Sequence, residues 1–232
     1  MFQFKQFSIE DDRCAMKVGT DAVLLGAWVD VSKAKKILDV GTGCGIIALM
    51  LAQRTDEDVR IDAIEIEKQD AIQALENSNQ STWAKRIKVT HQSLQGFKGT
   101  ESFDLIVSNP PYFINSQLPP SIDRAKARHT HSLSYQELID HSTRLLKNEG
   151  RLAVVLPYIE GKDFVNLASI RGLICVRQLA FYSRREKPQE RWLFEFTFIP
   201  QTMVAEQMIL HGEGETWSPE YKALTKSFYL KL

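Results

Sequence analysis

Lys35-Lys36-Ile37-Leu38-Asp39-Val40-Gly41-Thr42-Gly43-Cys44-Gly45-Ile46-Ile47-Ala48-Leu49-Met50-Leu51-Ala52 decides the fold. The stretch through Val40 reads as a short buried strand, and the apolar run from Ile46 opens a helix. Between them a glycine stands at every second position. Strand, glycine turn and helix in this order let a backbone pass close to a ligand and aim amides at it. The spacing is Gly-x-Gly-x-Gly rather than the Gly-x-Gly-x-x-Gly of dinucleotide binders, which argues against NAD or FAD. The following strand, Asp58 to Ile64, ends at Glu65. An open parallel sheet places an acid there, about 20 residues past the glycines, to bind ribose hydroxyls. A surface glutamate capping the next helix is the plainer alternative.

A second junction carries the chemistry. The apolar run Phe103-Asp104-Leu105-Ile106-Val107-Ser108 ends in Asn109-Pro110-Pro111-Tyr112. An uncharged amide, two prolines and an aromatic ring suit proton transfer poorly. They suit the gripping of a planar group that bears an NH2. The Asn109 side-chain oxygen and the Pro110 carbonyl both accept hydrogen bonds, and the proline that follows holds Asn109 in extended geometry. Tyr112 offers a ring face for stacking. Asn-Pro-Pro is also ordinary turn chemistry after a strand.

These motifs together, Asp39-x-Gly41-x-Gly43-x-Gly45, Glu65 and Asn109 to Tyr112, resemble the class I S-adenosylmethionine-dependent methyltransferases. The last is similar to that of the branch that methylates exocyclic or amide nitrogens. Met16 to Trp28, Ala127-Arg128-His129, Lys187-Pro188, Arg191 and the ending Phe228-Tyr229-Leu230-Lys231 resemble the bacterial valine-tRNA adenine-N6 methyltransferases, from about residue 10 onward. The resemblance implies a Rossmann-like α/β fold: a seven-stranded, mostly parallel sheet with helices on both faces and one antiparallel strand from a C-terminal hairpin. It implies methyl transfer from S-adenosylmethionine to the N6 of a tRNA adenine, the one just 3′ of the anticodon of valine tRNA, with Asn109, Pro110, Pro111 and Tyr112 catalytic. It places Asp39, Gly41, Thr42, Gly43 and Gly45 beside the cofactor's amino-acid end, and Glu65 with Ile66 at its ribose. Lys17 and Asp21 stand near the start of a helix packed against the cofactor; for Asp21 a helix N-cap is the alternative. The stretch His91-Gln92-Ser93-Leu94 lacks the acid that many such enzymes direct at the adenine amine, so Ser93 with the Leu94 amide is expected instead.

Composition sets the frame. The 232 residues can bury one substantial core and carry no mark of a second domain, so residues 1–232 read as one methyltransferase domain in which 1–34 form an extension packed on the cofactor side. Basic and acidic residues balance at 29 each, which leaves nucleic-acid binding to local patches and favours a monomer. Met1 to Gln6 is too polar for a signal sequence, and no apolar run is long enough to span a bilayer. Cys14, Cys44 and Cys175 are scattered and odd in number, as expected of reduced thiols in a cytoplasmic protein. His129 and His131 have no cysteine pair at ligand spacing, so no metal is expected.

Strand and helix signals then alternate. Lys68 to Gln80 reads as a helix with Ala71, Ile72 and Leu75 inward; Ile87 to Val89 as a third strand, Phe103 to Ser108 as the fourth. Tyr135 to Leu146 reads as an amphipathic helix with Leu138, Ile139, Leu145 and Leu146 inward and Gly150 past its end; Leu152 to Leu156 as a fifth, buried strand. After a helix near Gly161 to Ile170, Ile174 to Tyr182 and Arg191 to Ile199 read as a hairpin. From Phe113 to Leu133 the chain has no periodicity and carries Arg124, Lys126, Arg128 and His129, the expected pattern of a lid over the target base. Arg184, Arg185, Lys187 and Arg191 form a second basic cluster at the hairpin tip. Both clusters are candidates to hold RNA phosphates, with solvated faces as the plainer reading. Protein glutamine-N5 and ribosomal-RNA guanine-N2 or adenine-N6 methyltransferases pose the same nucleophile problem and are alternatives, as is a silent S-adenosylmethionine-binding scaffold subunit.

Overall fold

The computed structural model describes residues 1–98, 103–111 and 133–231. Strands β1 (Phe2–Gln3) and β2 (Ser8–Ile9) pair with each other, and α1 (Thr20–Trp28) follows them. Then come β3 (Lys36–Val40), α2 (Ile46–Arg54), β4 (Arg60–Glu65), α3 (Lys68–Gln80), β5 (Ile87–His91) and β6 (Phe103–Ser108). The remaining elements are α4 (Tyr135–Leu145), β7 (Leu146–Pro157), α5 (Tyr158–Ile170), β8 (Ile174–Tyr182), β9 (Arg191–Thr197), β10 (Val204–Ile209) and α6 (Pro219–Thr225).

One large sheet runs in the order β10-β8-β9-β7-β6-β3-β4-β5. The seven expected strands are all present, and β10 adds an eighth beside β8, pairing Val204 with Arg177 through Ile209 with Tyr182 in parallel. The reversed strand is β9, antiparallel to both β7 and β8. All the others point the same way, so their carboxyl ends share one edge. The order turns around between β3 and β6, and at such a switch point the loops diverge to leave a crevice. Gly41, after β3, and Asn109, after β6, flank it.

Both faces of the sheet are covered. On one, Leu24 and Leu25 of α1 and Ile47 and Leu51 of α2 pack on Ile37, Val107 and Val155. On the other, Leu138 and Ile139 of α4 and Phe164 of α5 pack on Leu38, Ile106 and Val154. Helix α4 starts with a capping box: the Ser134 hydroxyl accepts from the Glu137 amide, and the Glu137 carboxylate accepts from the Ser134 amide.

Three expectations shift. Leu75 points outward, 44% exposed, because α3 buries Ala71, Gln73, Ala74 and Asn77 instead. That polar choice has a cause: Asn77 exchanges two hydrogen bonds with the Glu10 backbone and donates a third to the Cys44 carbonyl, fastening the N-terminal segment to the glycine turn. Strand β7 begins at Leu146, well before Leu152, and Gly150 lies within it rather than ending a helix. A Cβ there would sit 2.8 Å from the Phe103 carbonyl oxygen, beside a register shift between β6 and β7. Helix α5 starts at Tyr158, directly after the strand.

Candidate active site

Asp39, at the penultimate position of β3, is fully buried and works from beneath the glycine turn. Its Oδ2 accepts from the Thr42 hydroxyl at 2.6 Å and from the Ala48 amide at 3.1 Å, so it clamps the turn to the first turn of α2. Burial pushes its carboxyl up to about 7, against the downward pull of those two bonds and with a further upward push from Glu65. The amides of Gly41 and Thr42 donate to the Ile64 carbonyl at 2.9 and 3.1 Å, which fixes the turn to β4.

Gly41 and Gly43 have φ of 70° and 55°, the left-handed region that disfavours any side chain. A Cβ built on either meets nothing within 4 Å. The backbone therefore borders open space that a side chain would fill. Glu65 faces the same space, 7% exposed. Its Oε2 accepts from the Gly43 amide and its Oε1 from the Glu67 amide, each at 2.9 Å. Burial raises its pKa above the ordinary carboxylate value despite these two amides, with Asp70 adding to the rise.

Around Glu65 lies a cavity of about 330 Å³, walled by Ile64, Ile66, Leu94 and Pro111 among others. Ile66 is 39% exposed into it, and His91 Nε2 lies 2.9 Å from the Ile66 carbonyl, holding that wall. Ser93 and Leu94 line the cavity too. The Ser93 hydroxyl accepts from the Gly96 amide at 3.1 Å, which leaves its own proton to donate. Asp70, Gln92 and Gln95 also line it, unforeseen from the sequence because no motif marks them. A carboxylate able to take two hydroxyls, an apolar slot for a planar ring and a side-chain-free turn fit a nucleoside bearing an amino-acid tail.

Asn109 leaves β6 at the switch point, where the Ser108 hydroxyl donates to the Val40 carbonyl at 2.9 Å and ties the two central strands. Asn109 borders the Glu65 cavity together with Pro110 and Pro111, and also a second cavity of about 330 Å³. Gly41, Gly43 and Met16 likewise border both. The far wall of the second cavity comes from α1 and the β8–β9 hairpin: Thr20, Asp21, Phe181, Ser183, Glu190 and Arg191.

That wall bears on two expectations. The N-cap of α1 is Gly19, with Asp21 one position into the helix, so Asp21 is not a cap. Its carboxylate accepts from Arg191 Nε at 2.9 Å. Arg191, grouped by sequence with the candidate phosphate-binding cations of the hairpin tip, lines this cavity at the start of β9, where it meets Asp21 of α1. The other tip residues divide: Arg184 bonds the Gly214 carbonyl and Glu215, whereas Arg185 and Lys187 are exposed. Lys17 lines the cavity while its ammonium donates to the Asp11 carbonyl. Tyr112, Arg124, Lys126, Arg128 and His129, with the expected lid up to its last residue, lie outside the described residues; that last residue, Leu133, lines the Glu65 cavity. Among the described residues no His, Cys, Asp and Glu group could hold a metal, and no helix is long and apolar enough to cross a membrane.

Comparison with known proteins agrees with this geometry. Residues 14–164 match the family model described as the methyltransferase small domain. A tRNA1(Val) (adenine(37)-N6)-methyltransferase from Tolumonas auensis is 45% identical over 100% of this chain and 97% of its own length. A protein of the same name from Trichodesmium erythraeum is 46% identical over 99% and 98%. Among solved structures, an Agrobacterium tumefaciens protein described as a predicted O-methyltransferase superposes with a TM-score of 0.69 at 18% identity, covering 90% of this chain and 96% of that one. This last likeness shows the shared fold alone.

Proposed function

The chain belongs to the tRNA1(Val) (adenine(37)-N6)-methyltransferase family, and we propose that it transfers a methyl group from S-adenosylmethionine to the N6 of adenine 37 in valine tRNA. One observation carries the reading: Asn109 borders both cavities, with Pro110 beside it in the Glu65 slot and a second chamber opening on the other side.

Glu65 would hold the ribose hydroxyls, Ile66 and Leu94 the adenine ring, and Ser93 its polar edge. Gly41, Thr42 and Gly43 would border the amino-acid end, with Lys17 nearby, whereas Gly45, expected beside them, packs against Ala74 of α3, where a Cβ would sit 3.4 Å away. Asp39 supports this turn from the core. S-adenosylmethionine supplies, when bound, a methyl on sulfonium sulfur that is already electrophilic. What remains for the protein is alignment and activation of the acceptor.

The N6 lone pair of adenine is delocalised into the ring, so the amine is flat and barely nucleophilic. Asn109 Oδ1 and the Pro110 carbonyl would each accept one of its N–H bonds and draw the nitrogen toward tetrahedral geometry. Both oxygens then face the positive charge that grows on the nitrogen, a stabilisation realised mainly in the transition state. A proton leaves the nitrogen after transfer, so no general base is needed beforehand. Tyr112 would stack on the extruded base. Arg185 and Lys187, exposed on the hairpin, and the cations between 124 and 129 would meet phosphates.

The test is transfer from radiolabelled cofactor into total tRNA, rRNA, DNA and protein, followed by mass spectrometry of digested tRNA. Label in N6-methyladenosine from the valine anticodon loop is the expected result. Label in N2-methylguanosine or in protein would overturn the assignment.

A further inference from the structure

A grip on an NH2 does not by itself choose adenine. Cytosine N4, guanine N2 and a glutamine amide present the same two N–H bonds to Asn109 and Pro110. Against guanine, adenine differs in its flank: the ring nitrogens beside its amine, N1 and N7, are bare acceptors, whereas guanine sets an N1–H donor next to its amine; cytosine, whose N3 is likewise bare, differs instead in ring size. A site that selects adenine over guanine therefore needs a fixed donor beside the grip.

Among the described residues two cations, Lys17 and Arg191, line the cavity that opens from Asn109 toward the hairpin. The Lys17 ammonium is drawn to the Asp11 carbonyl of the N-terminal segment. Arg191 is held differently. Its Nε donates to Asp21 at 2.9 Å and its Nη1 to the Glu190 carbonyl at 3.1 Å, so the guanidinium plane is set from two directions. The pair is mostly shielded, with side-chain exposures of 28% and 19%. A guanidinium only donates and always carries its charge. The partner matters as much: Asp21 alone would accept from the N1–H and NH2 of guanine, and its pairing with Arg191 reverses that preference.

We infer that Arg191, braced by Asp21, is the specificity residue that donates to a ring nitrogen flanking the adenine amine held by Asn109 and Pro110. This rests on the methyl-transfer reading above, and it gives Arg191 a base contact in place of a phosphate contact.

The experiment uses valine tRNA carrying adenosine, 1-deazaadenosine or 7-deazaadenosine at the target position, with single-turnover transfer by the wild type and Arg191→Gln. Binding of S-adenosylhomocysteine is measured by calorimetry on both proteins. One of the two deaza substitutions should slow the wild type about 10- to 100-fold, the range for a hydrogen bond to a charged group. Which one it is tells whether the contact is to N1 or N7. The same substitution should slow Arg191→Gln less than about threefold, and the variant's affinity for S-adenosylhomocysteine should stay within about threefold of the wild type. If Arg191→Gln does not fold, Arg191→Lys, which keeps the charge but not the fork, carries the same comparison. A deaza penalty equal in both proteins, or no penalty in either, overturns the inference. So does a tenfold loss of S-adenosylhomocysteine binding, which would assign Arg191 to the cofactor. Absence of transfer from the wild type to unmodified tRNA overturns the functional reading itself, and the inference with it.

Discussion

Two aspartates on neighbouring strands, Asp104 at the start of β6 and Asp39 near the end of β3, have opposite fates. Burial pushes both carboxyls up. At Asp104 the push is outweighed by hydrogen bonds from the Lys147 ammonium at 2.7 Å and the Lys36 and Lys35 amides at 2.8 and 3.0 Å, so its pKa falls below the ordinary value. Asp39 accepts two bonds on one oxygen, and its Oδ1 has no partner among the described residues. The contrast holds for the two sheet edges at large. Toward the amino edge Glu195, fully buried, meets Arg151 at 2.8 Å, Arg177 at 3.4 Å and the Asp30 amide at 2.7 Å. At the carboxyl edge, glycines in left-handed conformation and Glu65 border open space, with Asp39 beneath them, and both carboxyls have raised pKa values. One edge closes the fold; the other holds polar groups ready for a ligand.

Substitutions at the two edges should therefore separate stability from activity. Asn109→Ala should lower single-turnover transfer about 100- to 1,000-fold, the cost of removing one acceptor from a transition-state site, with cofactor affinity and melting temperature nearly unchanged. Retention of near-normal kcat would remove the chemical role of the carboxyl edge. Glu195→Ala should do the reverse, lowering unfolding free energy by about 3 kcal/mol or more by leaving Arg151 and Arg177 without their shared partner, while the folded fraction binds S-adenosylhomocysteine normally. Denaturant titration paired with calorimetry reads both quantities.

The pH response sharpens the contrast further. Because folding raises Asp39 from the ordinary aspartate value to about 7, the folded protein holds a proton there that the unfolded chain has released. Stability contributed at this site should be greatest below about pH 4 and decline as pH rises toward 7, by about 1.4 kcal/mol per unit of separation between the two states. Asp39→Asn should flatten that part of the profile in denaturation measured from pH 4 to 8. An unchanged slope would mean that Asp39 is charged in the folded state.

The smallest expected effect compares two glycines. Gly43 at the turn and Gly172 after α5 have φ of 55° and 79°, and a Cβ on either meets nothing within 4 Å. Alanine at either should cost about 1–2 kcal/mol of stability through backbone strain alone. Only Gly43→Ala should also weaken S-adenosylhomocysteine binding, since only that Cβ enters the cradle. Equal affinities in the two variants would show that the turn does not border the cofactor.

What could be read in the sequence was local. The glycine turn, the acid after the second strand and the Asn-Pro-Pro-Tyr junction are each contiguous, and the strand–turn–helix alternation around them fixes the parallel sheet. Strand β10 escaped notice because Val204-Ala205-Glu206-Gln207-Met208-Ile209 has no clean alternation; it is an edge strand with Val204 51% exposed. Leu75 misled because α3 follows polar partners rather than an apolar stripe. The pairing of Asp21 with Arg191 joins residues 170 positions apart, through the packing of α1 beside the hairpin, and no periodicity encodes it. The same limit applies to Asp39 and Asp104, whose opposite acidities depend on which neighbours the fold brings within reach.

A structure of the protein with sinefungin and the valine anticodon stem-loop tests the central claim most directly. The account predicts the N6 of adenine 37 within hydrogen-bonding distance, about 2.7–3.2 Å, of both Asn109 Oδ1 and the Pro110 carbonyl oxygen. An adenine amine bound by other groups, with Asn109 turned away from the base, would contradict it.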